Sequence, residues 1–208
     1  MNVLIVDDHL MTIEGYIALF EKEISVFTAS KALNCEEAYH LTTSVPVLDI
    51  AIIDYQLPEF TEKELNNGID IALLIKKHHP KCKIIMITAY QEAVIVYDIH
   101  RKARPDALVI KSDISYTTFK ECLNSENRYL STTAQKAIGI INNNEELFNE
   151  VNREILFYLK QGFKINEIDQ YVPLTTSGIQ KRVAKLRELF NVTDINGLIK
   201  EAVKNGIV

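Results

Sequence analysis

Apolar positions along the first 125 residues come in two rhythms. Short continuous runs (Val3-Leu4-Ile5-Val6, Val26-Phe27-Thr28-Ala29, Ile50-Ala51-Ile52-Ile53, Ile84-Ile85-Met86-Ile87 and Ala107-Leu108-Val109-Ile110) are rich in β-branched residues. Between them lie segments of helical spacing, such as Ile69, Ala72 and Leu73 followed by Lys76-Lys77, closed by His79-Pro80. Strands apolar at every position need cover on both faces, which crossover helices on a parallel sheet supply. The pattern therefore predicts an α/β domain with a doubly wound, five-stranded parallel sheet over residues 1–125.

After Asn124 the strand rhythm stops. Residues 126–146 are polar, apart from a helix-like patch around Ala134 to Ile141, and they read as a linker ending in Asn142-Asn143-Asn144. From Leu147 to the end, 147–208, the spacing is helical: roughly 147–161, 164–172, 176–190 and 194–205, punctuated by Gly162, Pro173 and Gly206. In the third segment Ile179, Val183, Leu186 and Phe190 form one stripe of helical period. A shorter helix, Asn166 to Tyr171, precedes it through Val172-Pro173-Leu174, with Thr175 or Thr176 placed to cap. Two helices joined by a short turn, the second basic, make a helix-turn-helix candidate.

Composition changes this picture little. With 47% apolar and 25% charged residues in 208, both halves can bury a core. No run approaches the roughly 18 apolar residues of a membrane helix, and Asp7-Asp8 cut the first apolar run before it could act as a signal-peptide core. Cys35, Cys82 and Cys122 are odd in number and lack CxxC spacing, so they read as reduced, buried thiols of a cytoplasmic protein. Charge does change the picture. Residues 1–146 carry 14 Lys and Arg against 21 Asp and Glu, whereas 147–208 carry nine against seven, with Lys181, Arg182, Lys185 and Arg187 crowded together. The two ends are built to meet different partners.

In an open parallel sheet, chemistry collects beyond the carboxyl ends of the strands. There the sequence places Asp7-Asp8, Asp54, Thr88 and Lys111. Converging carboxylates repel unless a cation sits among them, and all-oxygen ligation favours Mg²⁺. One carboxylate can then attack a phosphoryl group while a hydroxyl and an ammonium neutralise its oxygens.

Val6-Asp7-Asp8-His9, Ile53-Asp54-Tyr55-Gln56-Leu57-Pro58, Ile87-Thr88-Ala89 and Val109-Ile110-Lys111 resemble the signature of response-regulator receiver domains over about residues 1–125. The resemblance implies a flavodoxin-like fold with Asp54 as phosphoacceptor. It implies Mg²⁺ held by Asp8, Asp54 and the carbonyl of Gln56, with Asp7 acting through water, and Thr88 and Lys111 as sensors of the phosphoryl group. It also implies a sensor histidine kinase as partner. Three features depart from the pattern: Leu108 stands where an aromatic is usual, nine residues (Glu59 to Asn67) separate Pro58 from Gly68, and Gln56 and Tyr90 occupy places that govern water attack on the acyl phosphate.

Arg153-Glu154-Ile155-Leu156, Gly162, Glu167-Ile168, Gly178-Ile179-Gln180-Lys181-Arg182-Val183 and Asn191-Val192 resemble a LuxR-type output domain more loosely, over 147–208. That resemblance implies DNA binding, with Gln180 and Lys181 at bases and Arg182, Lys185 and Arg187 nearer phosphates, and a homodimer formed through the last helix. Together the two resemblances imply a regulator of transcription rather than a metabolic enzyme. The rival reading is a phospho-switched module whose helical end docks on a protein. A phosphatase-like hydrolase would need a second acid two positions after Asp54, where Gln56 stands.

Overall fold

The computed structural model describes residues 1–142, 149–205 and 207–208. The end of the expected linker, the first two residues of the expected helical domain and the punctuating Gly206 lie outside the described residues.

The five predicted strands form: β1 (Asn2–Val6), β2 (Thr28–Ala32), β3 (Ile50–Asp54), β4 (Lys83–Thr88) and β5 (Ala107–Ile110). A sixth, β6 (Tyr129–Leu130), joins them in an all-parallel sheet of order β2-β1-β3-β4-β5-β6. Helices α1 (Leu10–Glu23), α2 (Cys35–Ser44), α3 (Gly68–His78), α4 (Ala93–Asp98) and α5 (Tyr116–Asn124) alternate with the strands. Successive strand side chains point to opposite faces, and both faces are covered. Val3, Ile5, Ile52, Ile85, Ile87 and Val109 pack with Ile13, Tyr16 and Phe20 of α1 and Phe119 and Cys122 of α5. Their neighbours Leu4, Val6, Ile53, Met86 and Leu108 are equally buried on the other face.

Two strand expectations need correction. β2 starts two residues later than the run Val26-Phe27-Thr28-Ala29 suggests, and Val26 is 80% exposed. An edge strand has one paired side, so Ser30 and Lys31 are tolerated inside it. β6 falls in the expected linker; its two residues are too few to show a period, and pairing with β5 alone defines it. The rest of that stretch supplies α6 (Thr132–Asn142), over the predicted helical patch.

The chain divides into two compact units, Met1–Gln91 with Asp98–Gln135, and Glu92–Tyr97 with Lys136–Val208. The first thus runs ten residues past the expected end at 125, because β6 and the start of α6 are fastened to β5, and it gives up Glu92–Tyr97. In the second, α7 (Glu150–Lys160), α8 (Ile165–Ile168), α9 (Thr176–Leu189) and α10 (Ile195–Lys204) surround Ile155, Leu159, Ile168, Ile179, Val183, Leu186 and Leu198. α8 is shorter than its predicted span; it stops before Pro173, and Val172, at the end of that span, is buried outside the helix. Thr175 is the N-cap of α9, accepting the Gly178 amide at 3.2 Å, while the Thr176 hydroxyl bonds to Asp169.

Candidate functional site

Parallel pairing carries the ends of β1, β3, β4 and β5 to one edge of the sheet, and with them the predicted polar residues. Asp7 and Asp54 are buried there, 1% and 5% exposed. The Lys111 ammonium lies between them, donating to Asp7 Oδ2 at 2.8 Å and Asp54 Oδ2 at 2.6 Å. Burial raises the Asp54 carboxyl above the ordinary carboxylate range; the Lys111 bond and charge work against this, and Asp7 adds to it. Burial pulls the Lys111 ammonium down, but its bonds to Asp54 and Asp7 hold it above its usual value. A buried like-charged pair with one shared cation is thus poised to take a further positive charge or to transfer negative charge to a ligand.

Asp8, at the surface, holds the His9 imidazole at 2.7 Å, and Asp7 Oδ1 accepts the His9 amide at 3.0 Å. Ligand atoms of Asp7, Asp8 and His9 lie within 4.8 Å of one another. Two carboxylates so close, one of them with its solvent shell removed, fit a hard, oxygen-seeking divalent cation. Asp54 joins them through Lys111, and the Gln56 amide donates to it. His9 is a member of this cluster that the sequence reading passed over, although it directly follows the paired acids.

Thr88, fully buried, accepts the Tyr90 amide on its hydroxyl at 3.1 Å, which leaves its own proton to be donated. The Tyr90 hydroxyl donates to Gln56 Oε1 at 3.1 Å, and its ring packs edge-on against Tyr55 at 5.5 Å. Gly68 is the second residue the sequence reading did not single out for function. Its amide donates to the Tyr55 carbonyl at 2.8 Å, and a Cβ there would stand 2.0 Å from the Asp54 carbonyl oxygen. Only glycine lets the N-terminus of α3 come so close beneath the acid. The long Glu59 to Asn67 segment is a closed excursion: Phe60 and Leu65 exchange backbone bonds at 2.7 and 3.2 Å, and the Phe60 ring lies 5.8 Å from Tyr39.

The residues expected at DNA divide into two sets. Gln180, Lys181 and Lys185 are exposed on α9. Arg182 instead donates to Asn152 Oδ1 at 2.9 Å, and Asn152 is 1% exposed. Arg187 donates to the Thr193 carbonyl. Arg182 turns inward because a buried amide oxygen needs a donor, whereas Arg187 bonds an exposed carbonyl and is only half-buried itself.

The family model for the response regulator receiver domain matches residues 3–111. Among curated proteins, a cyclic di-GMP phosphodiesterase of Thermotoga maritima is 26% identical over 194 residues, 89% of this chain but 49% of that protein, so the chain spans about half its length. Response regulator protein VraR of Staphylococcus saprophyticus is 24% identical over 220 residues, 100% of this chain and 99% of its own. Among solved structures, RcsB from Salmonella enterica serovar Typhimurium, bound to a promoter in the presence of the phosphomimetic BeF₃⁻, superposes with a TM-score of 0.64 over 96% of both chains. At 18% identity that likeness concerns the fold.

Proposed function

The chain belongs to the response regulator receiver family, and from that premise we propose that it is a phosphorylation-switched transcription regulator whose phosphoacceptor is Asp54. The observation that carries this reading is the Lys111 ammonium bridging buried Asp7 and Asp54 at the carboxyl edge of the sheet, beside the buried Thr88 hydroxyl. An Asp54 oxygen attacks the phosphorus of a phosphohistidine on a sensor kinase, or of a small phosphodonor; the P–N or P–O bond to the donor breaks, and the departing group keeps the electron pair. Thr88 donates its hydroxyl proton to a phosphoryl oxygen and Lys111 neutralises another. Asp7, Asp8, Asp54 and the Gln56 carbonyl would hold Mg²⁺, which supplies positive charge to the transferring group.

The output is DNA binding by α8 and α9. Exposed Gln180 and Lys181 read base edges and Lys185 meets a phosphate, while Arg182 and Arg187 keep α9 seated in its domain. Solved RcsB structures of the same fold hold DNA, which supports this assignment. Val203, 45% exposed on α10, and the half-buried Ile195 and Ile199 offer an apolar face for a homodimer. No helix among the described residues is long and apolar enough to cross a membrane, and a role on chromosomal DNA implies a cytoplasmic location.

Capture from a randomised genomic DNA pool with Mg²⁺, with and without beryllofluoride, tests the whole reading against Asp54→Ala. Selective capture that rises with beryllofluoride in the wild type alone is the expected result. Equal capture in every sample removes the switch. Absence of selective capture removes DNA as the target and turns attention to a protein docking on the helical domain.

A further inference from the structure

In this chain the position three before the sensing lysine is Leu108, aliphatic and fully buried, so no ring stands there to change rotamer. The structure holds a different connection from the phosphoacceptor edge to the rest of the molecule. β5 ends at Ile110, and Lys111-Ser112-Asp113 follow as a single 3₁₀ turn. One end of this turn carries the ammonium that bridges Asp7 and Asp54. The other end carries the Asp113 carboxylate, and both its oxygens are taken by Thr133: Oδ2 by the amide and Oδ1 by the hydroxyl, each at 2.8 Å. Asp113 therefore caps the first turn of α6 from 20 residues away in sequence, where a carboxylate also meets the positive end of the helix dipole.

The connection is doubled in the layer below. The Ile110 amide, immediately before Lys111, donates to the Ser131 hydroxyl at 3.2 Å, and Ser131 is 1% exposed. The Ser131 amide donates in turn to the Leu108 carbonyl at 3.0 Å. The β5 end and the α6 start are thus held by four hydrogen bonds, two of them to one ionised group.

We infer that the Lys111–Asp113 turn and its clamp on Ser131 and Thr133 form the output lever of this regulator, passing the state of Asp54 to α6. The inference rests on the reading of Asp54 as phosphoacceptor. When a phosphoryl oxygen replaces a carboxylate as the partner of the Lys111 ammonium, the ammonium shifts and the rigid three-residue turn shifts with it. Asp113 then moves against an α6 that is stiff along its 11 residues, so the displacement at the cap reaches the chain beyond Gln135 through the helix itself. Ser131, Thr133 and Asp113 are positioning residues; they touch neither the phosphoryl group nor its donor.

The test uses the full chain with Mg²⁺ and beryllofluoride. A ¹⁹F resonance of bound beryllofluoride reports occupancy, and hydrogen exchange of the α6 amides reports the lever. In the wild type, binding is expected to change α6 exchange by about fivefold or more, the lower end of ordinary coupling between sites. Asp113→Ala is expected to bind beryllofluoride with α6 exchange unchanged by it, while Thr133→Ser, which keeps both donors, retains the wild-type response. If Asp113→Ala leaves α6 unprotected beforehand, Thr133→Val takes its place, since it removes one bond and keeps the capping charge; it is expected to lose most of the response. A wild-type response in Asp113→Ala, or beryllofluoride bound with α6 silent in the wild type, overturns the inference alone. Absence of any bound resonance in the wild type overturns the phosphoacceptor reading and this inference with it.

Discussion

As the proposed phosphoacceptor, Asp54 would meet two demands that conflict: burial to be held in line, and ionisation to attack. Burial and the nearby Asp7 both penalise the charge that its chemistry needs. Asp54→Asn keeps the shape and removes the penalty, so we expect its thermal midpoint, measured without divalent cation, to lie above that of the wild type while beryllofluoride binding is lost. A lower midpoint would mean that the Lys111 bond outweighs the burial cost. Gly68 supports the same acid from below, and Gly68→Ala must displace the Asp54 backbone to clear a 2.0 Å approach. Overpacking of that kind costs about 1–3 kcal/mol, read from denaturant midpoints, and beryllofluoride affinity should fall with it. The acids, Thr88 and Lys111 were legible in the sequence because each ends or follows a recognisable strand. Gly68 and His9 were not, since a close backbone approach and a neighbouring imidazole leave no periodic trace. Arg182 and Arg187 show the opposite case, where residue type is legible and side-chain direction is not. Both are basic and on the expected helix, yet which way a guanidinium turns depends on acceptors elsewhere, here the buried Asn152 amide and the exposed Thr193 carbonyl.

Among elements, those with a sustained apolar pattern are legible along the chain, whereas the bounds of an edge strand and the existence of a two-residue strand are set by pairing. The Ile179, Val183, Leu186 stripe gave α9 because three buried positions recur at helical spacing. β2 was drawn toward Val26-Phe27 because those residues are the more apolar, but register with Asn2–Val6 selects Thr28–Ala32. The α7–α9 contact yields a clear prediction. Arg182→Ala removes a charged donor from the buried Asn152 oxygen, and such bonds contribute roughly 1.5–3 kcal/mol. It should therefore lower the stability of the helical domain and weaken DNA binding on every sequence alike. Gln180→Ala should leave stability unchanged and cost about 1–3 kcal/mol at one base pair only, which a binding-site selection would reveal. In the receiver unit, burial pushes the Cys82 and Cys122 thiols up to about 12 and Cys35 to about 11. At pH 8 the thiolate fraction of all three is negligible in the folded state and substantial in the unfolded one. A chromogenic disulfide reagent should find no reactive thiol in native protein and three in denaturant; fast labelling of the native chain would show that the segments carrying them open readily.

For the whole molecule, the strand-and-helix alternation announced an α/β unit followed by a helical one. The grouping of Glu92–Tyr97 with the C-terminal unit was not legible, because it depends on tertiary packing and not on any local pattern. Charge is the property that belongs to this scale. The molecule is acidic overall, at −5, and the helical end carries its nine cations against seven anions. Two of the basic side chains expected at DNA are hydrogen-bonded within the protein, and Lys181 and Lys185 are exposed on α9. A dimer would bring two such pairs to a duplex, and each neutralised phosphate contributes about −0.9 to the slope of log K against log salt. With Lys185 alone at a phosphate in each protomer the expected slope is therefore roughly −2, shallow for a specific binder, and Lys185→Ala should bring it close to zero. Titration of a selected site between 50 and 200 mM salt measures both. A slope near zero would remove the phosphate contacts and favour a protein as the partner of α9. A slope beyond about −7 would recruit Lys160, Lys164, Lys200 and Lys204 to the interface, and Lys185→Ala would then change it by only a small fraction.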